Sequence, residues 1–231
     1  MNSWEGKFGA EYLRRNPRCS FELDQLYEER YGITRTKMNE RFVGNLSRRM
    51  KVLEVGCGGG AQMDCLDDIG FSVTGIDIYE EVVKPTGICG TPSLYKMNAE
   101  DMSEFKDKEF NLVFTSGLLI HIPPDKLEKV MSEIYRVSQR YIWGFEYFSD
   151  STVPIMIPYR GMDNMLWKAN YPMLYLSKFD DLALVDFQLY QHLDNPDNVD
   201  AMFLLKKTTG TIEEWEKIEP DYRDNRKWEK Q

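Results

Sequence analysis

Glu54 and the run Gly56-Cys57-Gly58-Gly59-Gly60 place a carboxylate two residues ahead of four glycines in five positions. Glycine at that density permits positive φ and lets a ligand approach the main chain with no Cβ in the way, which points to a bound cofactor. Asp77 stands 21 residues after Gly56. At that spacing a strand-helix-strand unit sets a carboxylate beside a ribose, whose two hydroxyls it accepts. Asn98-Ala99-Glu100 offers polar contacts for an adenine edge. His121 and Glu146 are groups able to take a proton from a reacting hydroxyl or ammonium, and Arg160 is a guanidinium able to clamp an acidic group in a bidentate way.

Positioning these residues requires strands that end at one edge of a sheet. Val52 to Val55 is a short apolar run feeding the glycine turn, and Ala61 to Ile69 reads as a helix stopped by Gly70. Phe71 to Ile78 forms a second strand with Asp77 and Ile78 at its exit. Ser93 to Met97 forms a third, ending at Asn98, and Phe110 to Thr115 a fourth, ending at Ser116-Gly117. Tyr79 to Lys84 reads as a short helix broken by Pro85, with loop to Pro92. Pro123 and Pro124 open a crossover helix whose Leu127, Val130, Met131, Ile134 and Val137 share one face. Arg140 to Glu146 is a fifth strand. The aromatic, proline-containing stretch at about 147–178 is too long for an ordinary loop and reads as an insertion building an acceptor pocket from Tyr147, Tyr159 and Arg160. Leu182 to Tyr190 and Ala201 to Lys206 alternate as an antiparallel pair around a turn at Leu193 to Asn198. Residues 4 to 49 carry apolar positions at helical intervals, giving two or three helices that either pack on the core or cover the cofactor, with Phe8, Tyr12, Arg15 and Asn16 as the covering residues. The charged segment 207–231 reads as a tail with a loosely docked helix and no assigned chemistry.

With 231 residues, 42% of them apolar, the chain supports one decorated core domain. Its net charge of -9 disfavours long nucleic acid as a partner. Cysteines at 19, 57, 65 and 89 form no Cys-x-x-Cys pair and no zinc spacing with histidine, so no metal is expected and a reduced compartment is. The opening Met1 to Lys7 lacks an apolar signal core and no stretch is long enough for a membrane helix. The expectation is a cytoplasmic protein acting on a small-molecule acceptor, with no membrane partner and an open oligomeric state.

The glycine turn satisfies both the dinucleotide fingerprint and the turn of S-adenosylmethionine enzymes. Glu54 separates the two, because it repels a pyrophosphate and attracts a methionyl ammonium and sulfonium. No later glycine turn supplies the second mononucleotide half that a nicotinamide oxidoreductase would need. From about residue 50 to 206 the chain resembles class I S-adenosylmethionine-dependent methyltransferases, in Glu54-x-Gly56-x-Gly58-x-Gly60, Asp77, Asn98-Ala99 and Phe110-Asn111-Leu112-Val113-Phe114. More narrowly it resembles the pseudaminic acid biosynthesis-associated methylases. The residues concerned are Phe8-Gly9-x-x-Tyr12-x-x-Arg15-Asn16, Leu119-Ile120-His121-Ile122, Glu146-Tyr147, Tyr159-Arg160-Gly161, Trp167-Lys168 and Leu182-x-Leu184-Val185-Asp186. Asn98 stands where many relatives carry Asp.

The resemblance implies an α/β fold, a Rossmann-like seven-stranded, mostly parallel sheet with helices on both faces, a C-terminal antiparallel strand and an N-terminal helical lid over 1–49. It implies methyl transfer from S-adenosylmethionine, leaving S-adenosylhomocysteine, to a nucleotide-activated or acidic sugar of pseudaminic type. The expected cofactor residues are Tyr12, Arg15, Glu54, Gly56, Cys57, Gly58, Gly60, Asp77, Ile78, Asn98, Ala99, Glu100 and Ser116. Two other readings stand beside it: a non-catalytic binding module on the same fold, and a methyltransferase acting on a protein or another small molecule.

Overall fold

The computed structural model describes residues 3–79 and 93–209. Its centre is a seven-stranded sheet in the order β3-β2-β1-β4-β5-β9-β8. Strands β1 (Val52–Val55), β2 (Val73–Asp77), β3 (Ser93–Lys96), β4 (Phe110–Ser116) and β5 (Ser138–Tyr147) run parallel. Strand β9 (Val199–Lys207) runs antiparallel to both β5 and β8 (Leu182–Gln191). The continuous apolar runs of β1 and β4 follow from their central position, since a parallel strand covered on both faces has no solvent side to alternate toward.

Helices α1 (Lys7–Arg15), α2 (Ser20–Tyr31) and α3 (Arg35–Val43) precede the sheet; α4 (Ala61–Asp68) follows the glycine turn and α5 (Pro124–Val137) follows β4. Helix α5 begins with proline, where a missing N–H has no intrahelical partner to lose, and buries all five residues of the apolar stripe read from the sequence. Helix α2 stops at Gly32, whose φ of 72° allows its N–H to close back on the Glu28 carbonyl. One core lies under α5, with Leu53, Val113, Val130, Ile134 and Phe203, and a second lies under α2–α4, with Met38, Phe42, Leu66, Phe114 and Trp143.

The insertion after β5 carries regular structure of its own. A two-stranded hairpin of β6 (Ile155–Met156) and β7 (Trp167–Lys168) leads into α6 (Tyr171–Lys178). The alternating pair at the C-terminal end closes the sheet as expected. The short helix and loop read over 79–92 lie outside the described residues from 80 onward, as does the tail from 210. Among the described residues no helix is long and apolar enough to cross a membrane.

Candidate active site

The carboxyl ends of β1 to β5 meet one edge of the sheet. The strand order reverses between β1 and β4, the place where open α/β sheets form their ligand crevice. A cavity of about 950 Å³ opens there, lined from the glycine turn, the exits of β2 to β5, α1, α2 and the loop between β6 and β7. Register explains the convergence: Glu54 lies beside Gly75 and Phe114, and Asp77 beside Lys96, so each strand delivers its exit residue to the same level.

The glycine turn is held from β2. Gly56 and Cys57 N–H groups both donate to the Ile76 carbonyl at 2.8 and 3.0 Å, and Gly58 N–H donates to Asp77 Oδ2 at 2.9 Å. Gly56 and Gly58 have φ of 76° and 49°. A Cβ at Gly56 would strike Leu118, whereas one at Gly58 meets no atom of the described residues within 4 Å and would project into open space in the cavity wall. Asp77 Oδ1 also accepts from Tyr79 N–H at 2.9 Å. Burial raises the Asp77 carboxyl against the backbone donors of Tyr79, Gly58 and Ile78.

Glu54 is the most demanding group in the wall. It is 2% exposed, and its Oε2 is buried without a hydrogen-bond partner among the described residues. Burial raises its carboxyl well above the usual range, opposed by the Arg35 guanidinium and reinforced by Asp77. Arg35 is fully buried, donates to the Asn39 amide oxygen and the Tyr27 hydroxyl at 2.9 Å each, and stacks over Tyr27, Trp143 and Phe145. Gln62, also on the wall, leaves Oε1 unpartnered beside this network. An orphaned carboxylate oxygen at a cavity wall is satisfied by a cationic donor, and a pyrophosphate would make its situation worse. Burial, Glu54 and Asp77 together raise the Cys57 thiol, so it is a packing residue and not a thiolate nucleophile.

At the far side of the turn, Asn98 Oδ1 accepts from Glu100 N–H at 2.9 Å, leaving its amide nitrogen for a ligand, while the Glu100 carboxylate pairs with Lys126 at 2.7 Å. Ile78, Ala99 and Ser116 also line the cavity.

His121 ends a 3₁₀ turn over Leu119–His121. Its Nδ1 lies 2.6 Å from the Met165 carbonyl, which only accepts, so Nδ1 carries the proton and Nε2 the lone pair. Burial lowers the imidazole to about 4, against the pull of that carbonyl, so it is neutral near pH 7. Trp4, Tyr12 and Tyr159 surround the ring, with centroids at 4.6, 6.0 and 5.4 Å. Arg15 donates to the Tyr159 hydroxyl at 3.1 Å and lies over the Tyr12 ring, joining α1 to the hairpin. The hairpin tip is a tight turn in which Arg160 and Gly161 take φ of 52° and 75°, and Tyr159 and Met162 exchange both backbone bonds at 3.0 Å. The left-handed arginine is strained backbone held by that turn, in the wall of the cavity.

Two expected site residues have other positions. Gly60 is not in the cavity wall; its φ of 83° starts α4, its N–H donates to the Cys57 carbonyl and its carbonyl accepts from Asp64. Glu146 is also absent from the wall. It is 1% exposed and accepts from Leu118 and Ile120 N–H groups at 3.3 Å each, so it braces the loop that carries His121. Burial pushes its carboxyl up to about 7, against donors from Thr115, Leu119, Ile120 and Leu118. Glu146 therefore lies behind the loop, bonded to its backbone and outside the cavity lining, and not in the wall position expected of a base. Sequence reasoning missed Tyr31, Arg30 and Asp200, which line the cavity, and His192 behind them. The available signal was His192 and Asp200 flanking the turn between β8 and β9 at the same edge of the sheet. Among the described residues no group of His, Cys, Asp and Glu is placed to hold a metal ion.

Residues 53–140 match a family described as methyltransferase domain. The ubiquinone biosynthesis O-methyltransferase of Hydrogenovibrio crunogenus is 34% identical over 77 residues, 31% of this chain and 32% of that protein. The chain thus matches about a third of the length of that relative. Magnesium protoporphyrin IX methyltransferase from Synechocystis, solved with bound S-adenosylmethionine, has a TM-score of 0.60 at 14% identity, covering 89% of this chain and 94% of that one. The 1,6-didemethyltoxoflavin-N1-methyltransferase of Burkholderia thailandensis, solved with bound 1,6-didemethyltoxoflavin and S-adenosylhomocysteine, has a TM-score of 0.59 at 16% identity, covering 75% of this chain and 76% of that one. The shared fold is therefore that of the class I methyltransferases.

Proposed function

We propose that this chain is an S-adenosylmethionine-dependent methyltransferase acting on a small polar metabolite. The observation that carries the reading is the buried, unpartnered Glu54 oxygen beneath a glycine turn whose Gly58 has open space where a Cβ would be. A methionyl ammonium supplies the missing donor, and charge-assisted hydrogen bonds of this kind are the strong ones. In this reading Asp77 keeps acceptor capacity for ribose hydroxyls, Asn98 and Ala99 border the adenine, and Tyr12 and Arg15 cover the site from α1. The matched domain and the ligands of the two structural relatives support the same cofactor.

When bound, S-adenosylmethionine supplies an electrophilic methyl group on a good leaving group. The chain's work is then to hold an acceptor in line and within about 3–3.5 Å of that carbon. His121 is neutral, with Nε2 as its proton-accepting atom, and takes the hydrogen bond and then the proton of an attacking hydroxyl or amine. Its low basicity makes orientation of the nucleophile the larger part of its contribution. Glu146 holds the 117–121 loop, and with it His121, in place. Arg15 and Arg160 favour an anionic group on the acceptor, and the sequence resemblance narrows it to a nucleotide-activated or acidic sugar of pseudaminic type. The free thiols of Cys19, Cys57 and Cys65 fit a reducing, cytoplasmic location.

Titration calorimetry with S-adenosylhomocysteine tests the cofactor assignment: one-to-one binding is expected, and folded protein that binds neither it nor S-adenosylmethionine overturns the reading. Transfer of labelled methyl to pseudaminic-type sugar nucleotides tests the acceptor. Labelling of protein or of other small molecules, with none in the sugars, would overturn that assignment alone.

A further inference from the structure

Residues Tyr31, His192 and Asp200 come from three elements, α2, the exit of β8 and the start of β9, yet meet at one carboxylate oxygen. Tyr31 Oη donates to Asp200 Oδ2 at 2.7 Å, and His192 Nε2 lies 2.6 Å from the same oxygen. Asp200 and His192 are each 4% exposed. Burial and the Asp200 carboxylate hold the Tyr31 phenol far above its ordinary range, so it stays a donor. The turn that joins the two strands is tied to α2, with Leu193 N–H donating to the Arg30 carbonyl at 2.8 Å. A hairpin closing a sheet edge needs no such cluster, and burying three polar groups is worthwhile only when each is satisfied or used.

The cluster faces the cavity through Asp200 and Tyr31, with His192 behind. The hydrogen bonds from Tyr31 and His192 both end on Oδ2, which leaves Oδ1 without a partner among the described residues and able to accept from a ligand. Its place in the sheet separates it from the cofactor half. Asp77 is on β2 and Asp200 on β9, four strand spacings apart in the order β2-β1-β4-β5-β9, or about 19 Å. Glu54 is three spacings away, about 14 Å. Tyr147, opposite Asp200 in the β5–β9 register, lines the same end.

We infer that Asp200, oriented by Tyr31 and His192, is the anchoring carboxylate of the acceptor subsite and takes a hydroxyl or ammonium group of the acceptor. This rests on the methyltransferase reading above and adds to it a second pole. The acceptor presents a hydrogen-bond donor to Asp200, in addition to the anionic group that Arg15 and Arg160 favour.

The test uses full-length protein, S-adenosylhomocysteine calorimetry, and labelled S-adenosylmethionine with a deproteinised small-molecule cell extract as the acceptor probe. Asp200→Asn is expected to keep S-adenosylhomocysteine affinity within twofold and to lower methyl incorporation about ten- to a hundredfold, the loss of one charge-assisted bond. Tyr31→Phe, which removes a donor and no charge, is expected to lower incorporation severalfold at dilute extract and to recover at concentrated extract, the signature of a raised acceptor KM. If Asp200→Asn does not fold, Tyr31→Phe decides. Unchanged incorporation in the folded variants overturns the subsite, and so does a fall in S-adenosylhomocysteine affinity matching the fall in methylation. Wild-type protein that binds no S-adenosylhomocysteine removes the methyltransferase reading and the subsite together; normal wild-type binding with variant-insensitive methylation removes the subsite alone.

Discussion

Glu54 and Arg35 show how much of this site is electrostatics under tight burial. A carboxylate taken out of water needs a compensating charge or it takes up a proton, and Arg35 is caged by Tyr27, Trp143 and Phe145 with no ion pair to Glu54 within 4 Å. The pair therefore lowers the cost of an anion without neutralising it, leaving Glu54 Oε2 for the ligand. Glu54→Gln keeps the shape of the side chain and removes the charge. S-adenosylhomocysteine affinity is expected to fall about ten- to a hundredfold at pH 8, measured by calorimetry. Wild-type affinity is also expected to weaken as the pH drops through the raised Glu54 pKa, while the glutamine variant shows no such slope. Equal affinities for the two proteins would remove Glu54 from the ligand.

The glycine turn does two separable jobs, one toward the protein and one toward the ligand. Gly75 on β2 lies against the turn, and a Cβ there would come within 2.6 Å of Met63 Sδ and 2.9 Å of Cys57 Sγ. Gly75→Ala is expected to cost about 1–3 kcal/mol in stability through overpacking. Gly58→Ala meets no atom of the described residues within 4 Å, so its fold cost is that of a left-handed alanine, about 1–2 kcal/mol. Its methyl sits in the cavity wall, and S-adenosylhomocysteine binding is expected to drop more than tenfold while circular dichroism stays unchanged. A Gly58→Ala protein with wild-type affinity would place the ligand elsewhere. The turn, the strand exits and the α5 stripe were legible in the sequence because local rules determine them: a continuous apolar run, a glycine at positive φ, a 3.6-residue period. The His121 ring environment was not, since it depends on Trp4, Tyr159 and Met165 arriving from segments far apart in the chain. The surroundings of Glu146 were not legible for the same reason. Its place at the end of β5 was visible, but the backbone N–H groups that claim it belong to a neighbouring loop. Asp200 and His192 needed the antiparallel register of β8 and β9, which alternation alone does not fix.

Across the whole molecule, buried carboxyls at and behind the cavity pull stability toward acid, against His121, whose lowered imidazole pulls the other way. Glu146 is raised from 4.5 to about 7, chiefly by burial, and burial also raises Glu54 and Asp77. A raised carboxyl in the folded state means that the native protein holds its proton more tightly than the unfolded chain does. The stabilisation is complete below the unfolded pKa and is lost as pH rises through the folded one. For Glu146 that window runs from about 4.5 to about 7, and its full size is on the order of 3 kcal/mol. The Glu146 contribution is thus expected to fall between pH 5 and pH 7, opposed below about pH 6.5 by His121, whose lowered imidazole adds stability as pH rises; Glu146→Gln is expected to remove the Glu146 part, so that its thermal midpoint rises relative to wild type from pH 5 to pH 8. Ligand opposes the pull of the carboxyls, because an ammonium at Glu54 favours the ionised carboxylate. At a hundred times its dissociation constant, S-adenosylhomocysteine adds about 2.7 kcal/mol, which for a chain of this length corresponds to a midpoint rise of roughly 5–11 °C. Scanning calorimetry from pH 5.5 to 8.5 is expected to show that rise growing toward the alkaline end. A ligand-induced rise that shrinks with pH would mean that the ammonium is held by something other than the Glu54 carboxylate.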